Sequence, residues 1–190
     1  KRYHSPEKEN NSIICNGIQV PINWNKVLTY EDIGGFKLTS GYRKHSGKRD
    51  VKNFVNHWDV CLNSETCAKV LKKRGISVHF CIDNDGTIYQ LMDANNVAYH
   101  AGSSKWNAAS VGVEISSAYY PKYQNWYKKN GYGERPVWSG KKVHGKILPD
   151  FLGFYNVQLE ALKQLWLSIS NFYDIPLSGP KVTDTVDPDS

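Results

Sequence analysis

Three histidines and one glutamate sit where side chains can do chemistry. His57 lies at the end of a β-like run, in Phe-Val-Asn-His-Trp-Asp; His79 falls on the polar side of an alternating segment; His100 stands in Ala-Tyr-His-Ala-Gly. A neutral imidazole binds divalent metals and exchanges protons near neutral pH. Taken alone, each ring is more often a hydrogen-bonded structural histidine than a ligand. Glu114 is different, because it interrupts the apolar run Val-Gly-Val-Glu-Ile. A carboxylate there is costly unless it is paired or used. Burial raises its pKa towards the range of a general base working near pH 7. The competing reading puts Glu114 on the solvated face of an edge strand.

The elements that must position these residues are legible from pattern. Residues 51–57 read as a short strand leading into His57. Ser64 is a helix cap candidate, Cys67, Val70 and Leu71 follow at helical spacing, and Gly75 stops the helix. Lys72, Lys73 and Arg74 suit the negative end of its dipole. Residues 76–83 alternate, with Ile76, Val78, Phe80 and Ile82 on one side and Ser77, His79, Cys81 and Asp83 on the other. That predicts a strand. Asn84-Asp85-Gly86 turns it, residues 87–91 return, and residues 110–115 give a third strand. Upstream, Asn16-Gly17 between apolar runs signals a hairpin. Residues 39–53 read as a basic Gly/Ser-containing loop. Downstream, Leu162, Leu165, Trp166, Ile169 and Tyr173 form one stripe of a helix over 156–173, with Asn156 as a cap candidate. The whole predicts an α/β fold, a central mixed β-sheet flanked by helices.

Composition narrows the partners. The chain has 190 residues, 40% hydrophobic and 13% aromatic, with a net charge of +6. That is room for one domain. Aromatic content at this level argues against disorder, and no run approaches 18 apolar residues, so no transmembrane helix is expected. Residues 1–75 carry 14 Lys/Arg against 7 Asp/Glu, and residues 76–190 carry 10 against 11. The basic excess therefore lies early and suits an anionic partner. Cys15, Cys61, Cys67 and Cys81 form no C-x-x-C pair; Cys81 reads as a buried thiol, and disulfides are not demanded. Tyr119, Tyr120, Tyr123, Trp126, Tyr127, Tyr132 and Trp138, interleaved with Lys, Gly and Pro, mark 119–155 as an insertion, either functional or packed on its own aromatics.

The order of four motifs carries a resemblance. His57-Trp58, then a helix, then Gly75 to Gln90, then Ala98-Tyr-His-Ala-Gly102, then Ser110 to Ile115 resembles the zinc-dependent N-acetylmuramoyl-L-alanine amidases. That family, amidase-2, is related to a phage lysozyme and to the peptidoglycan recognition proteins. The resemblance covers about residues 51–118, and the helix 156–173 with Ile175-Pro176 fits the family's later helix. Residues 1–50 stand outside it as an N-terminal extension with a hairpin. The amidase-like domain then spans 51–180 with its insertion, and 181–190 are a polar tail.

The resemblance implies hydrolysis of the amide between N-acetylmuramic acid and the L-alanine of the stem peptide in peptidoglycan. It implies an extracellular, periplasmic or phage-associated protein of the endolysin kind, acting on the wall in lysis. It implies a catalytic zinc with His57 as a ligand and Glu114 as acid/base. His100, His79 and Trp58 match positions lining the substrate. Some members carry a catalytic tyrosine just before the His-Phe pair; this chain has Val78 there, which places more weight on Glu114.

One departure is serious. The family expects a second zinc histidine after the last helix, then an Asp or Cys. No histidine follows His144, which precedes that helix and does not match. Asp184, Asp187 and Asp189 offer carboxylates in a Thr/Pro tail where acids are usually solvated. The start at Lys1 and the loop-like end fit a piece of a longer protein, with the remaining ligands on a C-terminal companion fragment. The alternative is a non-catalytic peptidoglycan-binding module that has lost its zinc. A nucleic-acid binder using Lys/Arg and Tyr/Trp is a third reading, but it leaves the ordered motifs unexplained and is not expected.

Overall fold

The computed structural model describes residues 10–178. In chain order the elements are β1 (Asn11–Cys15), β2 (Ile18–Ile22), β3 (Val27–Leu28), β4 (Tyr42–Arg43), β5 (Asn53–Trp58), α1 (Ser64–Arg74), β6 (Phe80–Ile82), β7 (Ile88–Gln90) and β8 (Val97–Ala98). There follow α2 (Ser104–Ala108), β9 (Ser110–Ile115), α3 (Gln124–Lys129), β10 (Val137–Trp138), β11 (Lys142–Val143), β12 (Lys146–Ile147), β13 (Phe151–Leu152) and α4 (Asn156–Tyr173).

The central sheet runs β3-β7-β6-β9-β5 and is mixed. β6 and β7 pair antiparallel across the expected turn, while β3–β7, β6–β9 and β9–β5 are parallel. Successive side chains of a strand point to opposite faces, and here both faces are covered. On one face Phe80, Ile82, Ile88, Val111, Val113 and Ile115 pack against Leu162, Leu165, Ile169 and Tyr173 of α4 and against the β1–β2 hairpin. On the other, Cys81 and Tyr89 pack against Cys67, Ala68 and Leu71 of α1.

The structure amends several local expectations. The hairpin turns at Asn16-Gly17, both with positive φ (53° and 72°), as a two-residue turn of this type requires. Beyond the hairpin, Val27–Leu28 pairs with β7 and supplies a further strand of the sheet. The cap of α1 is Asn63, whose side chain accepts from the Thr66 amide at 2.9 Å; Ser64 is the first helical residue and is buried. The cap position of α4 is Tyr155, whose amide donates to Gln158 Oε1 at 3.0 Å, and Asn156 is already helical. The alternation read over 76–83 holds only from Phe80 onward, because Val78 joins the cluster around Cys81. The insertion does pack on its own aromatics: Tyr127 and Leu152 are buried with Tyr123, Trp126, Tyr132 and Tyr155 around them. The four cysteines are free thiols.

Candidate active site

Strands β5 and β9 lie parallel, in register, with His57 opposite Glu114. Directly paired residues of neighbouring strands project to the same face. Val113 and Ile115 are committed to the α4 side, so Gly112, Glu114 and His57 face the α1 side. β9 lies between β6 and β5, which excludes the edge-strand reading of Glu114. Its Oε2 is inaccessible to solvent and has no hydrogen-bond partner. Burial, reinforced by the charge of Asp59 and opposed by Arg74, pushes the Glu114 carboxyl up to about 8.

His57 is half-buried, and burial lowers its pKa. Its Nε2 lies 2.9 Å from His100 Nδ1, with the two rings perpendicular at 90°. His100 Nε2 lies 3.1 Å from Ser110 Oγ. Burial, then the neighbouring His57 and Arg49, push His100 down to about 4, so it is neutral at pH 7. Gly112 makes room for that ring: a Cβ there would come within 2.8 Å of it.

Two other expected residues are placed differently. His79 is fully buried and both of its nitrogens are used: Nδ1 accepts from the Gly112 amide at 3.0 Å, and Nε2 donates to the Asn96 carbonyl at 2.7 Å. It braces β9 beneath the site. Trp58 follows His57 and so points to the opposite face. There its ring meets Phe154 at 4.1 Å, with Phe151 and Tyr119 beside it. The structure thus brings together His57, Glu114 and His100, and separates Trp58 from them.

Sequence reasoning missed two supporting residues. Asp59 accepts from the Cys61 and Ser117 amides at 2.8 and 3.0 Å and from the Ser116 hydroxyl at 2.6 Å, tying the end of β5 to the end of β9. Burial pushes it up to about 7 despite those donors. Its place two residues after His57 was the available signal. Arg49, in the loop read as basic, is buried and donates to the carbonyls of Ala94, Asn107, Ala108 and Ser110. Ser110 opens the strand that carries Glu114.

His57 and Glu114 suit a metal hydrolase: an imidazole beside a carboxylate oxygen that nothing in the protein satisfies. Among the described residues, the one group of three side chains close enough to share an ion is Asp59, Cys61 and Cys67, whose ligand atoms lie within 4.8 Å of one another. It does not include His57. Asp184, Asp187 and Asp189 lie outside the described residues.

Comparison with known proteins identifies a family. The family model for N-acetylmuramoyl-L-alanine amidase matches residues 47–189. The match takes in the acidic tail, and the expectation of a separate companion fragment finds no support in it. No curated protein matches the chain. Among solved structures, the chain is similar to the E. coli N-acetylmuramyl-L-alanine amidase AmiD in complex with anhydro-N-acetylmuramic acid-L-Ala-D-gamma-Glu-L-Lys. Identity is 19% and the TM-score 0.47, over 76% of this chain and 52% of that one. It is similar also to the Drosophila peptidoglycan recognition protein SA, at 17% identity and TM-score 0.47, over 80% and 76% of the two chains. The endolysin amidase LysCS of Clostridium intestinale matches at 18% identity and TM-score 0.43, over 79% and 76%. The chain spans about half the length of the AmiD chain.

Proposed function

Because the chain belongs to the N-acetylmuramoyl-L-alanine amidase family, we propose that it hydrolyses the amide joining N-acetylmuramic acid to L-alanine in bacterial peptidoglycan. The observation that carries this is the in-register pair of His57 and Glu114, with Glu114 Oε2 buried and unpartnered.

His57 would hold zinc, with carboxylates of the tail, Asp184, Asp187 or Asp189, completing its protein ligands. When bound, zinc supplies Lewis acidity, polarising the scissile carbonyl and acidifying water. Glu114 accepts a proton from the attacking water and delivers it to the nitrogen of the departing alanine. A carboxyl held near pKa 8 is a poor base at pH 7 until a neighbouring positive charge lowers it, which makes Glu114 competent only in the loaded site. His100 holds His57 in place, while His79 and Asp59 hold the strands that carry the pair. The setting is the cell wall, as for an endolysin released by a phage in lysis. The early basic excess fits an anionic wall polymer.

The test is digestion of purified peptidoglycan with zinc supplied. New alanine amino termini are expected from the native chain and none from Glu114→Gln. Retention on the wall without any release, from both proteins, would replace this reading with that of a binding module.

A further inference from the structure

We propose that Asp59, Cys61 and Cys67 form a second cation site, separate from the His57–Glu114 pair, which takes a thiophilic dication such as zinc through two thiolates and one carboxylate. The site needs neither His57 nor Glu114 as a ligand and no residue outside those described. It therefore stands whether or not the chain cleaves peptidoglycan.

Three segments bring the donors together. Asp59 directly follows β5, Cys61 lies in the connection to α1, and Cys67 sits near the start of α1. Their ligand atoms lie within 4.8 Å of one another. Tetrahedral zinc, with sulfur at about 2.3 Å and oxygen at about 2.1 Å, holds its donors roughly 3.5–4 Å apart. The group therefore has to close by about 1 Å at most. Cys67 is buried and Cys61 only partly so, which gives an ion a way in from solvent. A third thiol backs the first two. Cys81, fully buried on β6, is hydrogen-bonded to Cys67, and such an outer partner orients a ligating sulfur.

The electrostatics favour a cation there. Asp59 takes part in none of the ion pairs between described residues. Its donors are two amides and a hydroxyl, all neutral, and Oδ2 accepts from the Ser116 hydroxyl alone. A carboxylate oxygen with one donor keeps a lone pair for a metal. The hydrogen bond to Cys67, burial, and the charges of Asp59 and Glu114 all hold the Cys61 thiol protonated. A negative potential that opposes a thiolate draws in a dication, and a coordinating metal deprotonates a thiol outright. Two sulfurs select a zinc-like ion over magnesium or calcium, which take oxygen. A Cys61–Cys67 disulfide is the competing chemistry. It would join two sulfurs and leave Asp59 without a counter-charge, whereas one ion engages all three groups and staples the β5–α1 connection to the helix.

The decisive experiment is titration of the reduced full chain with Cd²⁺, followed by the ultraviolet thiolate-to-cadmium charge-transfer band. The band should saturate at one ion per chain. It should vanish in Cys61→Ser and Cys67→Ser and survive in His57→Ala. Asp59→Asn should weaken binding at least roughly 10-fold in chelator competition, the least that losing even an outer partner costs. Should Cys67→Ser or Asp59→Asn not fold, Cys61→Ser decides, because that side chain is only partly buried. No thiolate band in the native chain overturns the proposal. So does a native band in folded Cys61→Ser, or a band lost in folded His57→Ala. A Cys61–Cys67 disulfide that forms in air with zinc present, found by peptide mass mapping, overturns it as well. None of these readouts involves hydrolysis, so a chain that fails to cleave peptidoglycan defeats the amidase reading and leaves the thiolate site to its own result.

Discussion

Arg135 and Glu114 are both ionisable groups in the interior, and the fold treats them in opposite ways. Arg135 is 1% exposed. Its guanidinium donates to the Gly153 and Ser116 carbonyls, both at 2.9 Å, and to Gln158 Oε1 and Asn84 Oδ1. The rings of Tyr127 and Tyr155 lie against it, their centroids at 4.1 and 4.2 Å. It pins the insertion to α4 and to the turn after β6. Glu114 has an inaccessible oxygen with no partner at all. Neither has a carboxylate or ammonium partner among the ion pairs between described residues. A buried charge surrounded by neutral dipoles is a structural pin. A buried carboxyl left bare beside a histidine is kept for something that arrives from outside.

The largest test of that contrast is Glu114→Gln. Hydrolysis should fall about 10²–10⁴-fold, the usual worth of a general acid/base. The metal-free protein should become more stable at alkaline pH. The Glu114 carboxyl is raised from 4.5 to about 8, so between those values the folded state holds a proton that the unfolded state has released. Stability contributed by the neutral form is therefore lost as pH rises through this window. Above pH 8 the ionised group costs on the order of 5 kcal/mol. Asp59, raised to about 7, adds a slope of the same sign that ends lower. Urea denaturation at pH 5, 7 and 9 should show native and variant chains diverging most at pH 9. Parallel curves would mean that Glu114 is not the strained group.

Arg135→Met comes next and should behave in the reverse sense. Removing the donor leaves the buried Gly153 carbonyl and Asn84 Oδ1 without it, while Gln158 Oε1 and the Ser116 carbonyl keep a second donor, at a cost of about 3 kcal/mol. The loss should be in stability, with zinc affinity unchanged in the folded fraction. A variant that melts normally but binds zinc poorly would show that the insertion supports the site. His79→Ala should sit between the two. It strands the Gly112 amide and the Asn96 carbonyl, for about 2 kcal/mol, and leaves the KM for peptidoglycan fragments unchanged. A raised KM at native stability would return His79 to the substrate groove.

The difference between these residues also explains what the sequence revealed. Glu114 and the strands around it were legible because an acid inside the apolar run Val-Gly-Val-Glu-Ile stands out from its nearest neighbours alone. The pairing of His57 with Glu114 was reachable only through motif order, since register is set by contacts 57 residues apart in the chain. Arg135 was invisible. It lies among Gly, Pro and Lys in a stretch with no apolar period, and its burial depends on Gln158, Asn84 and two tyrosines converging from separate elements. The caps misread at Ser64 and Asn156 were each displaced by one residue, because Asn63 and Tyr155 take the extended backbone that a cap requires. Trp58 was grouped with the site by adjacency, and a strand sends adjacent residues to opposite faces.

Trp58 and Trp138 give the smallest and sharpest test. Trp58 is half-buried against Phe154, Phe151 and Tyr119, so Trp58→Leu should cost about 1–2 kcal/mol of packing and leave catalysis within about threefold, an effect worth under 1 kcal/mol. Trp138 is 45% exposed with the Lys141 ammonium over its ring at 4.7 Å, and Trp138→Ala should change stability by no more than about 0.5 kcal/mol. If the insertion contacts the wall, it is Trp138→Ala that weakens sedimentation with peptidoglycan, because an exposed ring beside an ammonium can meet a glycan and a ring stacked on Phe154 cannot. Equal sedimentation of the native chain and Trp138→Ala would assign the aromatic insertion to packing alone, with Arg135 as its anchor.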